Sequence, residues 1–216
     1  EDRMIRQLKT RRAKRGSLGL EFRTSMLVFV VALTAASSVG CLGRSPAVEH
    51  FILGSGAVPD TSLDSGSAVS ILIGPVRLPA YLDRPQHARL RAGGRVELDE
   101  FTRWLGGFEK NFLRGLELEV ARQTGSARVS THPSKAPFPF DVKVRLHIDD
   151  LIVVDGQTLR VRIRWAMVRT GSETPAELYA MDESIALASD SNEAVVAAHD
   201  AVLADLAGRI IAAIER

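Results

Sequence analysis

Cysteine is nearly absent from this sequence. Cys41 is the only one among 216 residues, so the chain cannot form an internal disulfide or a metal site built from several cysteines. Aromatic residues make up only 6%, and the longest apolar run, residues 27–36, has ten residues. A helix of ten residues rises about 15 Å, roughly half of a bilayer core, which argues against a retained transmembrane helix.

Catalytic motifs are also missing. The sequence has no G-x-S-x-G nucleophile motif, no glycine-rich phosphate-binding loop and no H-E-x-x-H zinc motif. Its histidines are not spaced as metal ligands; they are His50, His87, His132, His147 and His199. We therefore predict no enzyme activity, no catalytic residue, no metal site and no cofactor. A periplasmic hydrolase would need a Ser/His/acid cluster that the sequence does not display.

Charge is distributed unevenly along the chain. The net charge is +2, but residues 1–40 carry eight Lys or Arg and three Asp or Glu, a local net charge of +5. Residues 41–216 hold 20 basic and 23 acidic side chains, a net charge of −3. Proteins that bind nucleic acid through phosphate contacts usually keep a basic surplus. The composition therefore argues against a nucleic-acid partner.

Residues 1–40 have the three parts of a secretory signal: a basic segment, the apolar run and a stretch of small residues that ends at Gly40. Cys41 follows directly, as in a bacterial lipobox, although Ser38 departs from the usual aliphatic residue. Acylation of this cysteine would bury several lipid chains and anchor the protein to a membrane. Leu42, in place of Asp, favours sorting to the periplasmic face of the outer membrane.

These features predict three segments. Residues 1–40 are a lipoprotein signal peptide that is cleaved before Cys41, and residues 41–49 are a lipidated tether. Residues 50–216 form the folded domain.

Strand and helix patterns are clear in the second half of the chain. Residues 142–148 and 159–165 alternate apolar and polar side chains around Asp155-Gly156, a hairpin turn signal. A further strand at residues 177–187 completes an antiparallel meander. A C-terminal helix, capped by Asp190, has an apolar stripe that comprises Val195, His199, Val202, Leu206, Ile210 and Ile214.

A first helix or helix pair is predicted within residues 95–121. Asp99 can cap it, and apolar residues recur at helical spacing at Phe101, Leu105, Phe108, Phe112 and Leu116. The glycines at 106 and 107 are expected to kink or split this helix. The predicted fold class is α+β: a two-layer sandwich in which two main helices cover one face of an antiparallel sheet.

A row of cations occupies the polar face of the predicted meander and could contact lipid head groups or an acidic partner. Its members are Lys143, Arg145, Arg160, Arg162 and Arg164. The alternative is cross-strand pairing with acids such as Asp182 and Glu177 on a solvated face. Adjacent Asp149 and Asp150 should point to opposite faces of their strand and share no site.

One stretch is distinctive beyond its composition: residues 73–86 read IGPVRLPAYLDRPQ, followed by EFTRW at 100–104 and NFLR at 111–114. The pattern resembles the ABC-type transport auxiliary lipoproteins of the PqiC type over about residues 48–216. The family's opening Y-x-L strand stands here as FIL at 51–53, and the Gly-Gly pair before the NFLR motif replaces a different short linker.

The resemblance implies a non-enzymatic role in lipid movement between membranes. Such lipoproteins work with a periplasm-spanning MCE-domain protein and an inner-membrane transport component, and a homo-oligomeric ring is one arrangement. The membrane is contacted through the lipid anchor. The alternative is a lipid-binding lipoprotein that itself carries a phospholipid between its helices and sheet.

The distinctive stretch also suggests a binding surface. Its prolines favour an extended, exposed path, on which aromatic, aliphatic and charged side chains form an anchor and a rim. The alternative is that Tyr81 and Leu82 fill the domain's own core; the resemblance favours the interface. The predicted partner-binding residues are Pro79, Tyr81, Leu82, Asp83, Arg84 and Pro85.

Overall fold

The structure is a computed structural model that describes residues 45–56, 69–172 and 176–216. The predicted signal peptide, Cys41 and the first part of the tether lie outside these ranges. Ala47–Arg216 cluster as one compact unit. None of the helices in the described ranges is long and apolar enough to cross a membrane.

The described residues form eight β-strands and two α-helices. The strands are β1 Glu49–Phe51, β2 Ile71–Arg77, β3 Gln86–Arg91, β4 Arg95–Trp104, β5 Val129–Thr131, β6 Val142–Val154, β7 Thr158–Arg169 and β8 Glu177–Ala186. The helices are α1 Phe108–Thr124, between β4 and β5, and α2 Asn192–Ile214, after β8.

The strands form one sheet around β6. Along one edge of β6 lies β7, antiparallel, and β8 lies antiparallel beside β7. The other edge is shared, because β2 runs parallel to residues 142–147 and β3 runs parallel to residues 153–154. One branch continues from β2 to β5, and the other continues from β3 to β4 and β1. The sheet therefore forks along β6.

This arrangement confirms the predicted α+β sandwich, with one difference in the sheet. The sheet is mixed, because β2 and β3 both run parallel to β6, and only the β6–β8 meander and the β3–β4 pair are antiparallel. The predicted hairpin is present: Asp155 and Gly156 have φ angles of 48° and 70°, and the Gln157 N–H donates to the Val154 carbonyl at 3.0 Å.

Both helices cover the same face of the sheet, and the core lies between the two layers. Alternate residues of β6 and β7, including Val144, Ile148 and Ile163, are at most 1% exposed there. The predicted stripe of α2 is confirmed by the burial of Val195, His199, Val202, Leu206 and Ile210. Each large aliphatic side chain buried in this way contributes about 2 kcal/mol.

The helix prediction for residues 95–121 is half wrong. The first ten residues form β4, and α1 begins only at Phe108. Asp99 caps no helix; its carboxylate accepts the Phe101 N–H at 2.9 Å and the Thr102 hydroxyl at 2.8 Å in a local turn within β4. Phe101 and Leu105 are 42% and 57% exposed. Their helical spacing is coincidental, since the positive φ angles of the two glycines at 106 and 107 separate the strand from the helix.

The cap of α2 also differs from the prediction. Ser191, not Asp190, is the N-cap, and its hydroxyl accepts the Ala194 N–H at 3.2 Å. Asp190 instead pairs with Arg89, whose guanidinium also donates to the Asn192 side chain at 3.1 Å. Asn192 in turn donates to the Thr102 hydroxyl at 2.9 Å. These bonds fasten the start of α2 to β3 and β4.

Candidate docking surface

The distinctive stretch crosses the fork of the sheet. Its first part is β2, its last residue opens β3, and residues 78–85 connect these two strands. Both strands lie along β6, but at opposite ends of it. The connection therefore passes over the place where β6 has no neighbour on that edge.

Tyr81 ties this connection to β6. Its half-buried ring places the hydroxyl to donate to Asp150 Oδ1 at 2.6 Å and to accept the Leu151 N–H at 3.2 Å. Burial, together with the bond to Asp150, raises the pKa of the Tyr81 phenol, so the hydroxyl keeps its proton. Asp150 lies beside an irregularity in the pairing of β6 with β7, which leaves the Leu151 N–H facing the fork.

Leu82 anchors the same connection in the core. Its side chain is 5% exposed, and its N–H donates to the Pro79 carbonyl at 2.9 Å, which closes a turn. Pro79 and Tyr81 are half-buried, whereas Asp83, Arg84 and Pro85 are exposed. The six predicted partner-binding residues thus divide into three that support the segment and three that a partner can reach. Their binding role stays a prediction.

The exposed part of the segment borders a cavity of about 240 Å³. Asp83, Arg84 and Pro85 form one wall, and residues 106–110, at the start of α1, form the other. The two walls are held together, since the Trp104 N–H donates to the Pro85 carbonyl at 2.7 Å. We call these two walls the docking crevice.

The cationic face of the meander is mostly paired. Arg160 contacts Asp150 at 2.5 Å, Arg162 contacts Asp182 at 3.2 Å, and Arg164 contacts Asp149 at 2.6 Å. Arg164 is also the main reason that the pKa of Asp149 is lowered. Asp182 is therefore the cross-strand partner of Arg162, as the alternative interpretation predicted. Glu177 is not one of the partners in these pairs; it accepts a hydrogen bond from Tyr179.

The prediction that Asp149 and Asp150 point to opposite faces is wrong. Their partners Arg164 and Arg160 are four residues apart on β7 and so share a face. The register between β6 and β7 shifts between Ile148 and Asp150, and this bulge turns both carboxylates toward the arginines.

Arg145 differs from the other three predicted arginines because it belongs to no ion pair within the described ranges. It is exposed and lines a groove of about 700 Å³ on the sheet face opposite the helices. Arg77, His147 and Arg164 also line this groove, together with Leu178, which is 80% exposed. Basic and apolar groups thus meet on one surface. The predicted contact with head groups or an acidic partner remains a prediction.

A buried pair of histidines was not singled out as a unit from the sequence. His87 is 3% exposed, and its ring stacks on Trp104 at 3.9 Å between centroids. Neither ring nitrogen has a hydrogen-bond partner. His199 is also buried, but its Nδ1 lies 2.8 Å from the Val195 carbonyl. His199 fits the hydrogen-bonded core histidine expected from the sequence; His87 had no such signal.

Two sequence-based expectations remain, the lipidation of Cys41 and the absence of a metal site. Cys41, the predicted lipidation residue, lies outside the described residues. Across residues 45–56, 69–172 and 176–216, no group of three or more His, Cys, Asp or Glu side chains is placed to hold a metal ion.

Comparison with solved structures identifies the fold. A crystal structure titled as an uncharacterized protein aligns with a TM-score of 0.62 at 11% identity, covering 78% of this chain and 99% of that one. Protein XCC0632 from Xanthomonas campestris, a DUF330 protein, aligns with a TM-score of 0.54 at 12% identity, covering 76% and 90%. None of the curated proteins matches the sequence.

The family is decided by the sequence match that spans the folded domain. The model of the ABC-type transport auxiliary lipoprotein component matches residues 51–211, a range that includes the distinctive stretch, both helices and the meander. This match confirms the resemblance stated from the motifs. The chain belongs to the family of ABC-type transport auxiliary lipoprotein components.

Proposed function

We propose that this protein is an outer-membrane lipoprotein that docks the periplasm-spanning MCE-domain protein of an intermembrane lipid transport system. The inner-membrane component of that system would supply the energy, because this sequence contains no nucleotide-binding motif. The proposed role is non-enzymatic and maintains the integrity of the membrane. A homo-oligomeric ring of the anchored domain belongs to the same proposal.

The observation that carries this proposal is the form of the docking crevice. Asp83, Arg84 and Pro85 are exposed, while their neighbours Tyr81 and Leu82 fix the segment to β6 and the core. A segment that is ordered before binding loses less conformational entropy when a partner arrives. Two charged side chains and a proline beside a cavity of about 240 Å³ can therefore recognise a protein surface.

The anchor is the second part of the proposal. Acylation of Cys41 would add about 0.8 kcal/mol for each buried CH₂, so several chains would hold the domain permanently at the membrane. Membership in a lipoprotein family supports this role for the cysteine.

The anchor is tested by metabolic labelling with a clickable palmitate analogue. We expect wild-type protein to take up the label and to fractionate with the outer membrane. Cys41→Ala should lose both properties. Uptake of label by Cys41→Ala, or wild-type protein in the inner-membrane fraction, would refute the anchor or its location.

Docking is tested by the binding of the mature protein to the purified MCE-domain protein in biolayer interferometry. Arg84→Glu reverses one charge in the crevice, and Arg95→Glu reverses one at the exposed tip between β3 and β4. Neither arginine belongs to an ion pair within the described ranges. We expect Arg84→Glu to weaken binding about tenfold or more, as for a contact worth above 1.4 kcal/mol, and Arg95→Glu to leave it unchanged. No binding by the wild type at micromolar concentration would overturn the docking role.

A second candidate, a lipoprotein that itself carries a phospholipid, is favoured by the groove that Arg77, Arg145 and Leu178 line. Its volume of about 700 Å³ lies within the range of ligand sites. The space between helices and sheet, where a lipid was first expected, is filled by core side chains such as Ile163, Leu206 and Ile210, each 0% exposed. Native mass spectrometry after gentle extraction would show a bound phospholipid under this alternative, and it would also report the number of copies in any ring.

A further inference from the structure

Four large apolar side chains are exposed together at the β1–β4 edge of the sheet. Val48, Ile52, Phe101 and Leu105 are 41%, 39%, 42% and 57% exposed. Most monomeric proteins scatter such residues singly, so a cluster marks a surface that meets something apolar. We call these four residues the edge patch.

The register of the two strands brings these residues together. β1 runs parallel to β4, with Glu49 beside Thr102 and Phe51 beside Trp104. Continuing this register by one residue at each end places Val48 beside Phe101 and Ile52 beside Leu105. The Leu105 N–H donates to the Phe51 carbonyl at 2.9 Å, so the two chains still run side by side where Ile52 and Leu105 lie.

The edge patch cannot turn inward, because the other face of the same strands already fills the core. Phe51, Thr102 and Trp104 face the helices, and the last two are at most 3% exposed. Beyond β1, the Leu53 N–H donates to the Asn111 side chain at 3.2 Å, and the Gly54 N–H donates to Asp200 at 2.8 Å. These bonds fix β1 against both helices and so hold the edge patch outward.

We infer that the edge patch lies against the bilayer surface that holds the protein's own lipid anchor. This inference rests on the proposed acylation of Cys41. Seven residues lead from Cys41 to Val48, and an extended chain of seven residues spans at most about 25 Å. The anchor therefore keeps β1 near the membrane at all times, where the patch can insert its side chains among the head groups.

The chemistry of the surroundings fits a lipid surface. His50 and Arg103 are neighbours in the β1–β4 register and lie between the two apolar pairs. Arg103 forms an exposed ion pair with Glu100 at 3.5 Å, a contact that contributes little and leaves the guanidinium within reach of a head group. An apolar patch with a basic group at its centre suits the boundary between acyl chains and anionic head groups. Four partly exposed side chains fall well short of the roughly 800 Å² per partner that a stable protein interface buries. At a membrane they need not supply the affinity, since the anchor already supplies a high local concentration.

The contact would also orient the docking crevice. Leu105 of the edge patch is followed directly by Gly106 and Gly107, which line the crevice. A domain resting on the edge patch would thus present the crevice close to the membrane surface, where a periplasm-spanning partner ends.

The test places an environment-sensitive fluorophore on the acylated protein in phosphatidylethanolamine and phosphatidylglycerol vesicles. Leu105→Cys carries the label in the edge patch, and Ala212→Cys carries it on the exposed side of α2 near the end of that helix; acylated Cys41 does not react. We expect a doxyl-labelled lipid to quench the label at 105 at least threefold more than the label at 212. Equal quenching at both sites, or stronger quenching at 212, would overturn the inference.

A second arrangement separates this inference from the anchor itself. The mature chain, with a hexahistidine segment in place of Cys41, is bound to vesicles that contain a nickel-chelating lipid. If the label at 105 is quenched on these vesicles but the palmitate experiment shows no acylation in cells, the edge patch stands and the anchor is refuted. Acylated protein that is not quenched at 105 would refute the edge patch and leave the anchor intact. A spectral shift at 105 that depends on protein concentration without vesicles would assign the patch to a second copy and overturn the inference.

Discussion

His87 makes the core sensitive to acid. Burial, together with the nearby His199, lowers the pKa of His87 from 6.5 to about 3. Burial likewise lowers the pKa of His199 to about 4. Each imidazole therefore gains its proton only when the protein unfolds. Above about pH 6.5 these two histidines add no pH dependence to the free energy of unfolding. As the pH drops from 6.5 toward 4, they make the free energy of unfolding fall.

We predict that His87→Phe reduces this acid sensitivity. Phenylalanine keeps the stacking on Trp104 and removes two buried nitrogens that lack partners. We expect the free energy of unfolding, measured with urea between pH 6 and pH 4, to fall less steeply with decreasing pH than in the wild type. The difference should be about 1.4 kcal/mol per pH unit, the effect of one proton. At pH 7.5 the variant should be equally stable or more stable by about 1 kcal/mol. An unchanged slope would show that His87 is not a buried neutral histidine in solution.

Gly54 lies where the chain packs tightly against α1. Its φ angle is 69°, and a Cβ atom there would lie 2.7 Å from the Gly115 Cα. That neighbour is backbone and cannot move aside, so both the conformation and the contact require glycine.

Gly54→Ala should therefore destabilise the domain by about 3 kcal/mol, from left-handed strain and overpacking together. Gly56→Ala is the matched control, because a Cβ atom at Gly56 would meet nothing within 4 Å. Thermal unfolding should show a marked loss for the first variant and nearly no change for the second. Equal melting temperatures for the two variants would contradict the close packing of this loop on α1.

At the scale of elements, the Tyr81 side chain hydrogen-bonds the connection between β2 and β3 to β6. Tyr81 is the residue of the segment whose side chain bonds β6, and Asp150 also receives Arg160. Tyr81→Phe should cost about 2 kcal/mol, because the Leu151 N–H loses its acceptor and Asp150 loses a donor. Hydrogen exchange should rise in residues 78–85. An unchanged exchange rate there would mean that the hydroxyl does not hold the segment.

Binding should respond differently from stability. Asp83→Ala removes an exposed side chain and should leave the unfolding free energy within about 0.5 kcal/mol of the wild type. The same variant should weaken binding of the MCE-domain protein. The pair of variants thus separates the support of the segment from its contact surface, which the sequence alone could not do.

Local patterns predicted the elements whose partners are close in sequence. The β6–β8 meander was predicted because alternation and Asp155-Gly156 are both local signals. The helical spacing from Phe101 to Leu116 wrongly predicted a helix before residue 108. β4 forms there because it pairs with β3 and with β1, which lies about 50 residues earlier in the chain. The fork and the bulge before Asp150 are likewise set by tertiary pairing.

The candidate site divides in the same way. The motif located the segment at residues 78–85, but only the structure shows that Tyr81 and Leu82 point inward and Asp83 outward. Whether a side chain on an extended, proline-rich path contacts a partner or fills the core depends on which element packs beneath the path. Here that is β6, which no pattern within the segment reveals.

At the scale of the whole molecule, the net charge of the mature protein depends on the proposed cleavage before Cys41. Removal of residues 1–40 would take away a net charge of +5 and leave a mature protein of −3. In our proposals, Cys41 anchors the protein, the edge patch contacts the bilayer, and the docking crevice receives the partner. We propose above all that the docking crevice receives an MCE-domain protein at the outer membrane.

Photo-crosslinking in cells tests that claim most directly. A photo-reactive amino acid at Ala80, exposed three residues before Asp83 of the docking crevice, would probe a partner bound there, and the same amino acid at Ala92, exposed at the tip after β3, is the control. We predict that Ala80 crosslinks to an MCE-domain protein in the outer-membrane fraction and that Ala92 does not. No crosslink from Ala80 at normal protein levels, or equal crosslinks from both positions, would contradict the account.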